Sequence, residues 1–235
     1  MKIKTLVFLA FLISCSYKYS GATEKDTQQR PQRVVVVHES FTPQLRVNGY
    51  TFYAFDDRVD SYYSSTEYFN GKIKGGFQWG TGLEYMLAPV QSVELSYLRL
   101  DTDAPMEYYK NGIQYSVFDV ATNYILLGSN RYFPTGGNVE PYAGLQVGVG
   151  ILNVTNPDTG RSDNATKFAW GAKAGLNIWV SDQVGLKIQT GLNSVVQAAG
   201  GSFYFGPGGP GAGVNTYSTF YQFYIGGGLT FSIGN

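Results

Sequence analysis

Apolar and polar residues alternate along the C-terminal segment of the chain, residues 217–233. Every second residue from Thr219 to Ile233 is mostly apolar or aromatic, and the residues between them are mostly small or polar. Because successive side chains of a strand point to opposite faces, this alternation predicts a two-faced β-strand. The segment is about 17 residues long, whereas a strand of a soluble protein usually has ~5–6.

Seven earlier segments carry the same pattern and complete a set of eight predicted strands. They are residues 45–55, 72–86, 92–101, 115–129, 141–153, 167–180 and 184–194. In the fourth of them, the apolar face is predicted to be Phe118, Val120, Thr122, Tyr124 and Leu126, with Asp119 on the opposite face. Long connectors at 56–71, 102–114, 154–166 and 195–216 alternate with shorter ones at 87–91, 130–140 and 181–183.

The face opposite the apolar one favours a membrane barrel over a soluble barrel. It carries many glycines and few charges, which are too few to cover a soluble exterior. Long strands that alternate in this way, in even number and with alternating loop lengths, are typical of bacterial outer-membrane barrels. We therefore predict an all-β, eight-stranded, antiparallel up-and-down transmembrane barrel, closed by pairing of the last strand with residues 45–55.

Composition agrees with lipid exposure and excludes one class of partner. Charged residues make up 14% of the chain, against roughly 25% in a typical soluble domain, and aromatic residues make up 16%. Aromatic side chains form girdles at both interfaces of membrane barrels. The net charge is zero and no basic run is present, which argues against a nucleic-acid partner.

Six charged residues lie on the predicted inward face. They are Lys74, Glu84, Glu94, Asp119, Lys173 and Lys187, three of each sign. Strand direction puts Glu84, Glu94 and Lys187 near the periplasmic end and the other three in the middle or upper half. Buried charges must be paired, and an eight-stranded barrel is just wide enough to be filled by its side chains. These residues therefore predict a salt-bridged lumen that is plugged.

The N-terminus has the features of a secretory signal, with Lys2 and Lys4 before a short apolar run. Two processing routes fit the sequence. Cleavage after the small residues at 20–22 makes residues 1–22 the signal peptide, whereas a lipobox makes residues 1–14 the signal and Cys15 a lipidated N-terminus. Residues 23–44 would then be a periplasmic tether and residues 45–235 the barrel.

Residues with catalytic or metal-binding chemistry are scarce. The only histidine, His38, lies in the predicted tether and away from the strands, so a Ser-His-Asp triad on the barrel wall is not expected. One His and one Cys do not make a zinc site. The glycine-rich stretch at 206–211 lacks the Gly-Lys-Ser/Thr ending of a phosphate-binding loop. We predict no catalytic residue, no metal and no cofactor.

The end of the last strand, Gly226-x-x-Leu229-x-Phe231, is similar to the signal that the barrel-assembly machinery recognises. With the eight-strand pattern, it makes residues ~40–235 resemble the small outer-membrane β-barrel domain family, the superfamily of the OmpA membrane domain and OmpX. The resemblance implies a Gram-negative outer-membrane location, with membrane lipid and the assembly machinery as partners. It does not imply one activity.

Three functions remain open after this sequence analysis. The first is a non-enzymatic structural or surface-interaction protein, with an extracellular partner that binds the long loops at 56–71, 102–114, 154–166 and 195–216. The second is a narrow channel for small or apolar solutes, which would need a lateral gap or a moving plug. The third is a lipid-modifying enzyme, which is disfavoured because such barrels depend on a histidine at the rim.

Overall fold

The computed structural model describes residues 42–234, except 65–66, 110–111, 158–159, 197–201, 207–208 and 214–219. The predicted signal peptide, Cys15, His38 and most of the predicted tether lie outside the described residues. The described part belongs to one compact unit, Ser40–Asn235. None of the described segments is a helix that is long and apolar enough to cross a bilayer.

Twelve strands make up the described structure, and all of their pairings are antiparallel. They are β1 Leu45–Ala54, β2 Asp57–Ser64, β3 Glu67–Ile73, β4 Gly76–Ala88, β5 Gln91–Tyr109, β6 Ile113–Tyr132, β7 Val139–Asn156, β8 Arg161–Trp179, β9 Val184–Val195, β10 Ser202–Gly206, β11 Gly209–Gly213 and β12 Phe220–Ile233.

Eight of these strands form a closed ring. Its order is β1–β4–β5–β6–β7–β8–β9–β12, and β12 pairs with β1 from Ile233↔Leu45 to Tyr224↔Ala54. The predicted eight-stranded up-and-down barrel, closed by its last strand, is confirmed. The other four strands form two hairpins, β2–β3 and β10–β11, at one end of the ring.

The register around the ring fixes how far the strands are staggered. A row of directly paired residues that leaves β8 at Gly175 and passes through Gln189, Gly226, Phe52, Gln78, Leu100, Thr122 and Leu152 returns to β8 at Ala165. The row therefore climbs ten residues, from 175 to 165, in one circuit. A stagger of this kind tilts the strands of a small barrel by about 35–45° from its axis.

The two ends of the barrel differ. The short-turn end carries the chain at Leu45 and Ile233 and the turns at 89–90, 133–138 and 180–183. The opposite end, called the hairpin end below, carries β2–β3, β10–β11 and the tips of β5–β8. The segments predicted as long loops are thus largely strands. The strands predicted from the sequence are too short because residues beyond the lipid need not alternate between apolar and polar side chains.

The lipid-facing side of the wall is apolar and exposed over the membrane-spanning part. On β4, for example, exposed Phe77, Trp79 and Leu83 alternate with buried Gln78 and Glu84. The same alternation runs along β12, where Tyr221, Phe223, Ile225, Leu229, Phe231 and Ile233 are exposed. An outward apolar face next to a buried inward face is the arrangement expected of a barrel in lipid.

The predicted faces of the fourth segment are reversed in the structure. The five residues assigned to lipid, Phe118, Val120, Thr122, Tyr124 and Leu126, are buried, and Asp119 is exposed. Val117, Ile125 and Leu127 are exposed instead. Because both faces of this segment contain apolar residues, the alternation did not fix its phase, and a shift of one residue exchanges the two faces.

The lumen is polar at one end and apolar at the other. Near the short-turn end it is filled by polar and charged side chains: Arg46, Asn48, Glu84, Ser92, Glu94, Asn130, Lys173 and Lys187. Towards the hairpin end it is filled by a buried apolar cluster: Phe52, Leu98, Leu100, Phe118, Val120, Leu126, Leu152, Val154 and Val195. Apart from Lys167, which is buried on β8 nearer the hairpin end, the buried charged side chains thus occupy a single zone of the lumen.

Glycine is required where β12 approaches β1 most closely. A Cβ added at Gly228 would collide with the carbonyl oxygen of Gly49, whereas a Cβ at Gly49 would meet nothing within 4 Å. We expect Gly228→Ala to lower the free energy of unfolding by about 1–3 kcal/mol and Gly49→Ala to leave it unchanged or slightly raised. Urea unfolding in lipid vesicles measures both, and equal stability of the two variants would contradict the close approach.

Candidate functional site

Two glutamates face each other inside the barrel. Glu84 on β4 and Glu94 on β5 are directly paired across the two strands. Their exposed fractions are 0% and 1%. Two like charges directly opposite each other destabilise a sheet, and a buried carboxylate is costly unless it is paired and hydrogen-bonded. The surrounding side chains must therefore neutralise this pair.

Two asparagine side chains bridge the glutamates. Asn48 donates its Nδ2 group to Glu84 Oε2 and to Glu94 Oε1, both at 3.0 Å. Asn130 donates its Nδ2 group to Glu84 Oε1 at 2.8 Å and to Glu94 Oε2 at 3.0 Å. Each amide therefore uses its two N–H groups to hold the two carboxylates together, one from β1 and the other from β6.

Two lysines supply the compensating charge. Lys173 Nζ lies 2.5 Å from Glu94 Oε2, and Lys187 Nζ lies 3.6 Å from Glu84 Oε2. Lys187 also lies over the rings of Tyr142 and Tyr50, with Nζ at 4.7 and 5.8 Å from their centroids. Two carboxylates and two ammonium groups leave this zone without net charge.

Three hydroxyl groups complete the set of donors. Tyr50 donates to Glu94, and Ser92 and Tyr132 donate to Glu84. All four carboxylate oxygens thus accept a hydrogen bond from at least one fixed donor. We call Glu84, Glu94 and these seven partners, Asn48, Tyr50, Ser92, Asn130, Tyr132, Lys173 and Lys187, the carboxylate cluster. Its members come from six strands, so it crosses the lumen and does not line only one side.

A further ion pair lies next to the cluster at the short-turn end. Arg46 donates to Glu140 through Nη1 at 3.0 Å and through Nη2 at 3.3 Å, and Asn177 donates to the same carboxylate at 3.2 Å. The guanidinium also lies over the rings of Tyr132, at 5.1 Å, and Trp179, at 4.8 Å. This two-pronged pair holds β1 to β7 across the barrel.

The structure brings together four of the six predicted lumen charges: Glu84, Glu94, Lys173 and Lys187. Lys173, which was predicted to lie in the middle or upper half of the lumen, lies at the level of the cluster, where it bonds Glu94.

Lys74 and Asp119 do not lie in the lumen. Lys74 follows the end of β3, where the strand alternation is interrupted, and pairs with Asp103 at 3.2 Å, with about half of each side chain exposed. Asp119 is exposed on the outer wall because the two faces of β6 are exchanged relative to the prediction. Both assignments were wrong.

Arg46 and Glu140 were missed in the sequence analysis. Arg46 lies two positions before Asn48, on the same face of the first predicted strand, so its alternation was a usable signal. Glu140 was the last residue of the predicted connector at 130–140, directly before the next predicted strand. No local pattern joins residues that are 94 positions apart.

The predicted assembly signal lies on β12. Leu229 and Phe231 are exposed on the lipid-facing side, and Gly226 lies against the backbone of Phe52. Their role in assembly stays a prediction.

The carboxylate cluster is buried and its carboxylates are fully engaged. The cluster residues are between 0% and 5% exposed. Every carboxylate oxygen is already engaged by a donor, and within the described ranges no group of three His, Cys, Asp or Glu residues lies close enough to hold a metal.

Comparison with family models decides which family this barrel represents. Residues 37–231 match the model described as "Outer membrane protein beta-barrel domain". The chain belongs to this family. Its members and structural neighbours are outer-membrane barrels of Gram-negative bacteria, which supports an outer-membrane location for this protein. No curated protein matches the chain by sequence.

Solved structures of similar fold include two bacterial surface barrels. Neisserial surface protein A is 15% identical to this chain. The match covers 80% of this chain and 96% of that protein, with a TM-score of 0.50. The outer membrane protein OprG of Pseudomonas aeruginosa is 12% identical, covers 82% and 96%, and has a TM-score of 0.52. Identities this low show a shared fold only.

The ion pair between Lys173 and Glu94 gives a direct test of the carboxylate cluster. Lys173→Met keeps the length of the side chain but leaves Glu94 buried without its ammonium partner, which costs about 3–5 kcal/mol of unfolding free energy. The double variant Lys173→Met/Glu94→Gln removes both charges and is expected to be more stable than Lys173→Met alone. Urea unfolding in lipid vesicles measures both.

Lys74→Met is the matched control because its partner is half exposed and the pair is worth at most ~1 kcal/mol. If Lys173→Met lowers the free energy of unfolding no more than Lys74→Met does, the carboxylate cluster does not stabilise the barrel.

Proposed function

We propose that this protein is a non-enzymatic outer-membrane barrel with a closed lumen, and that its hairpin end is an interaction surface on the outside of the cell. The observation that carries this proposal is the carboxylate cluster, which crosses the lumen and is almost completely buried. A barrel that is blocked by its own side chains has its outer surfaces left for function.

The hairpin end supports the second half of the proposal because it stands above the lipid. On the outer face of β6, the exposed apolar residues Ile125 and Leu127 are followed towards the hairpin end by Asn123 and Asp119. From Asn123 the strand continues to Ile113. At the usual rise and tilt, this stretch adds roughly 25 Å along the barrel axis. A wall of that height extends well beyond the hydrocarbon layer.

The orientation follows the usual plan of such barrels, with short turns and chain ends in the periplasm and the larger elements outside. In this orientation the predicted signal, with Cys15 lipidated or removed, and the tether at 23–44 are on the periplasmic side. The proposed partners are outer-membrane lipid, the barrel-assembly machinery acting on Gly226, Leu229 and Phe231, and an extracellular partner at the hairpin end.

A second candidate is a narrow channel for small apolar solutes. The observation that favours it is the apolar filling of the lumen towards the hairpin end. In addition, within the described residues, the pairing of β8 with β9 ends at Ala169↔Val195 and a bond from the Val196 N–H to the Phe168 carbonyl, whereas β8 continues to Arg161. A solute would enter the apolar half and leave sideways, since the carboxylate cluster blocks the route along the axis.

Conductance separates the closed barrel from an open pore. We expect the wild-type barrel in a planar bilayer to show no conductance of porin size, because the carboxylate cluster fills the cross-section. Removing a matched pair of long side chains with Lys173→Ala/Glu94→Ala is expected to raise ion conductance without leaving a lone charge. Porin-size conductance of the wild-type protein would disprove the closed lumen.

Labelling of intact cells tests the orientation. A cysteine at Tyr115, which is exposed at the hairpin end, is expected to react with a membrane-impermeant maleimide in whole cells. A cysteine at Asp182, in a turn of the short-turn end, is expected to react only after permeabilisation. The unsubstituted chain gives the background from Cys15, and the reverse pattern would place the hairpin end in the periplasm.

A further inference from the structure

The carboxylate of Glu94 holds an amine and an amide on the same oxygen. Lys173 Nζ and Asn130 Nδ2 both donate to Glu94 Oε2, at 2.5 and 3.0 Å. The amine and the amide are therefore separated by a single bridging atom. All three side chains are buried, with exposed fractions of 5% for Lys173, 1% for Glu94 and 0% for Asn130. A lysine amine can attack a carbonyl carbon, and a carboxyl group within hydrogen-bond reach can carry the protons of such a reaction.

The register of three neighbouring strands places the amine and the amide on either side of one glycine. Gly144 on β7 is directly paired with Asn130 on β6 and with Lys173 on β8. Two strand spacings put the Cα atoms of Asn130 and Lys173 roughly 10 Å apart. The chain of bonds that joins two Cα atoms through a Lys–Asn amide link also spans roughly 10 Å when it is extended. The two side chains can therefore be joined without a movement of the strands.

The space between the two side chains is free because residue 144 has no side chain. A Cβ added at Gly144 would collide with Oδ1 of Asn130. Among the described residues, this Oδ1 atom has no hydrogen-bond donor. A buried carbonyl oxygen without a donor is costly, and a protonated carboxyl group has one O–H to donate. A proton on Glu94 would thus supply the donor that the Asn130 amide lacks, once the amide group turns about its last side-chain bond.

The neighbouring set of Lys187, Glu84 and Asn48 lacks this register. Asn48 is paired with Thr230 and Lys187 with Gly228, so the two are offset by two residues across β12. This offset puts their Cα atoms roughly 12 Å apart, beyond the length of an extended amide link. In addition, Lys187 Nζ is 3.6 Å from Glu84 Oε2, a longer contact than that of Lys173. The geometry therefore selects Lys173 and Asn130 as the reacting pair.

We propose that Lys173 and Asn130 join spontaneously in an intramolecular isopeptide bond across Gly144, with Glu94 as the proton carrier. Lys173 Nζ first gives one proton to Glu94 Oε2. Burial favours this transfer because it replaces a buried ion pair with two neutral groups. The lone pair of the neutral amine then attacks Cγ of Asn130 and forms the Nζ–Cγ bond.

The remaining bond changes release ammonia. The Cγ–Nδ2 bond of Asn130 breaks, and its electron pair stays on the departing nitrogen. Nζ loses a second proton, which passes through the Glu94 carboxyl group to that nitrogen. The products are a Lys–Asn amide, one molecule of ammonia and a protonated Glu94. The reaction changes no oxidation state and needs no co-reactant.

The product leaves the carboxylate cluster without net charge. Lys173 becomes an uncharged amide, Glu94 becomes a carboxylic acid, and the Lys187–Glu84 pair keeps one charge of each sign. The new bond ties β6 to β8 through the lumen, so the filling of this zone becomes covalent. The inference concerns the lumen and goes beyond the proposed surface role. It does not depend on which end of the barrel faces outwards.

Peptide mapping by mass spectrometry tests the bond. The protein is purified from outer membranes, denatured, and digested with trypsin, which does not cleave after a lysine whose Nζ is acylated. We expect residues 111–131 and 168–187 to be recovered as one linked species, lighter than the two separate peptides by one ammonia. The same chain recovered unfolded from cytoplasmic aggregates is expected to give the two sequences unlinked, because the register of β6, β7 and β8 is then absent.

Substitutions assign the role of each group. Lys173→Arg keeps the charge, and Asn130→Ser keeps a donor for Glu94, but neither can form the amide, so both are expected to abolish the linked species. Glu94→Gln keeps the amine and the amide and removes the proton carrier, and is expected to lower the yield of the linked species at least tenfold. Lys74→Arg, in an exposed ion pair, is the matched control and is expected to give the wild-type yield.

Folding of each variant is checked by the compact band of an unheated sample on a denaturing gel, and only folded protein is mapped. Absence of the linked species from folded wild-type protein would overturn the proposal, whatever the variants do. A link from Lys187 to Asn48 would overturn the choice of partners. An unchanged yield in folded Glu94→Gln would overturn the role of Glu94 as proton carrier. Whole-cell labelling at Tyr115 is unaffected by these outcomes, so the proposed function is tested separately.

Discussion

The central constraint of this barrel is the placement of two buried glutamates opposite each other. Glu84 and Glu94 are neighbours in the register of β4 and β5, and neither reaches solvent. Their repulsion is offset only because the ring brings amide, hydroxyl and ammonium donors from four other strands to the same level. The pair thus couples the closure of the ring to the filling of the lumen, since Lys173 on β8 and Lys187 on β9 reach the glutamates only when the barrel is closed.

Most of the buried charges lie in one zone, which divides the interior into two parts held by different interactions. Near the short-turn end, the lumen is held by charge-assisted hydrogen bonds in a water-excluding environment, where an incomplete network is costly. Towards the hairpin end, apolar packing around Leu100 and Phe118 replaces these bonds, as in the core of a soluble domain. The first part supports the proposal of a closed lumen, and the second packs the wall towards the hairpin end.

The tall wall is also where the chain departs from the simplest small barrel. Strands β5 and β6 stay paired up to Tyr109↔Ile113, beyond the last pairing of β6 with β7 at Asp119↔Thr155. The outward side chains of this upper part, Ile113, Tyr115 and Val117, are apolar and exposed. Exposed apolar residues outside the lipid favour recognition, which is why a surface role is proposed.

The sequence by itself determined the fold class, the number of ring strands, the closing pair of strands and four of the lumen charges. These properties depend on period-two alternation, which is local and repeats in every strand. Where both faces were apolar, as from Phe118 to Leu127, the same pattern could not fix the phase, and Asp119 was placed on the wrong side. The hairpin strands β2, β3, β10 and β11 were not predicted, because strands outside the lipid need not alternate between apolar and polar side chains.

Only the tertiary structure decided which charges meet. The register and the ten-residue stagger bring Lys173 to Glu94 and Arg46 to Glu140, although these partners lie 79 and 94 positions apart in the chain. The unequal heights of neighbouring strands, with β6 paired to β5 up to Ile113 but to β7 only up to Asp119, likewise depend on pairing between distant segments. Alternation states which face a residue occupies, but its height in the barrel and its neighbours follow from closure of the ring.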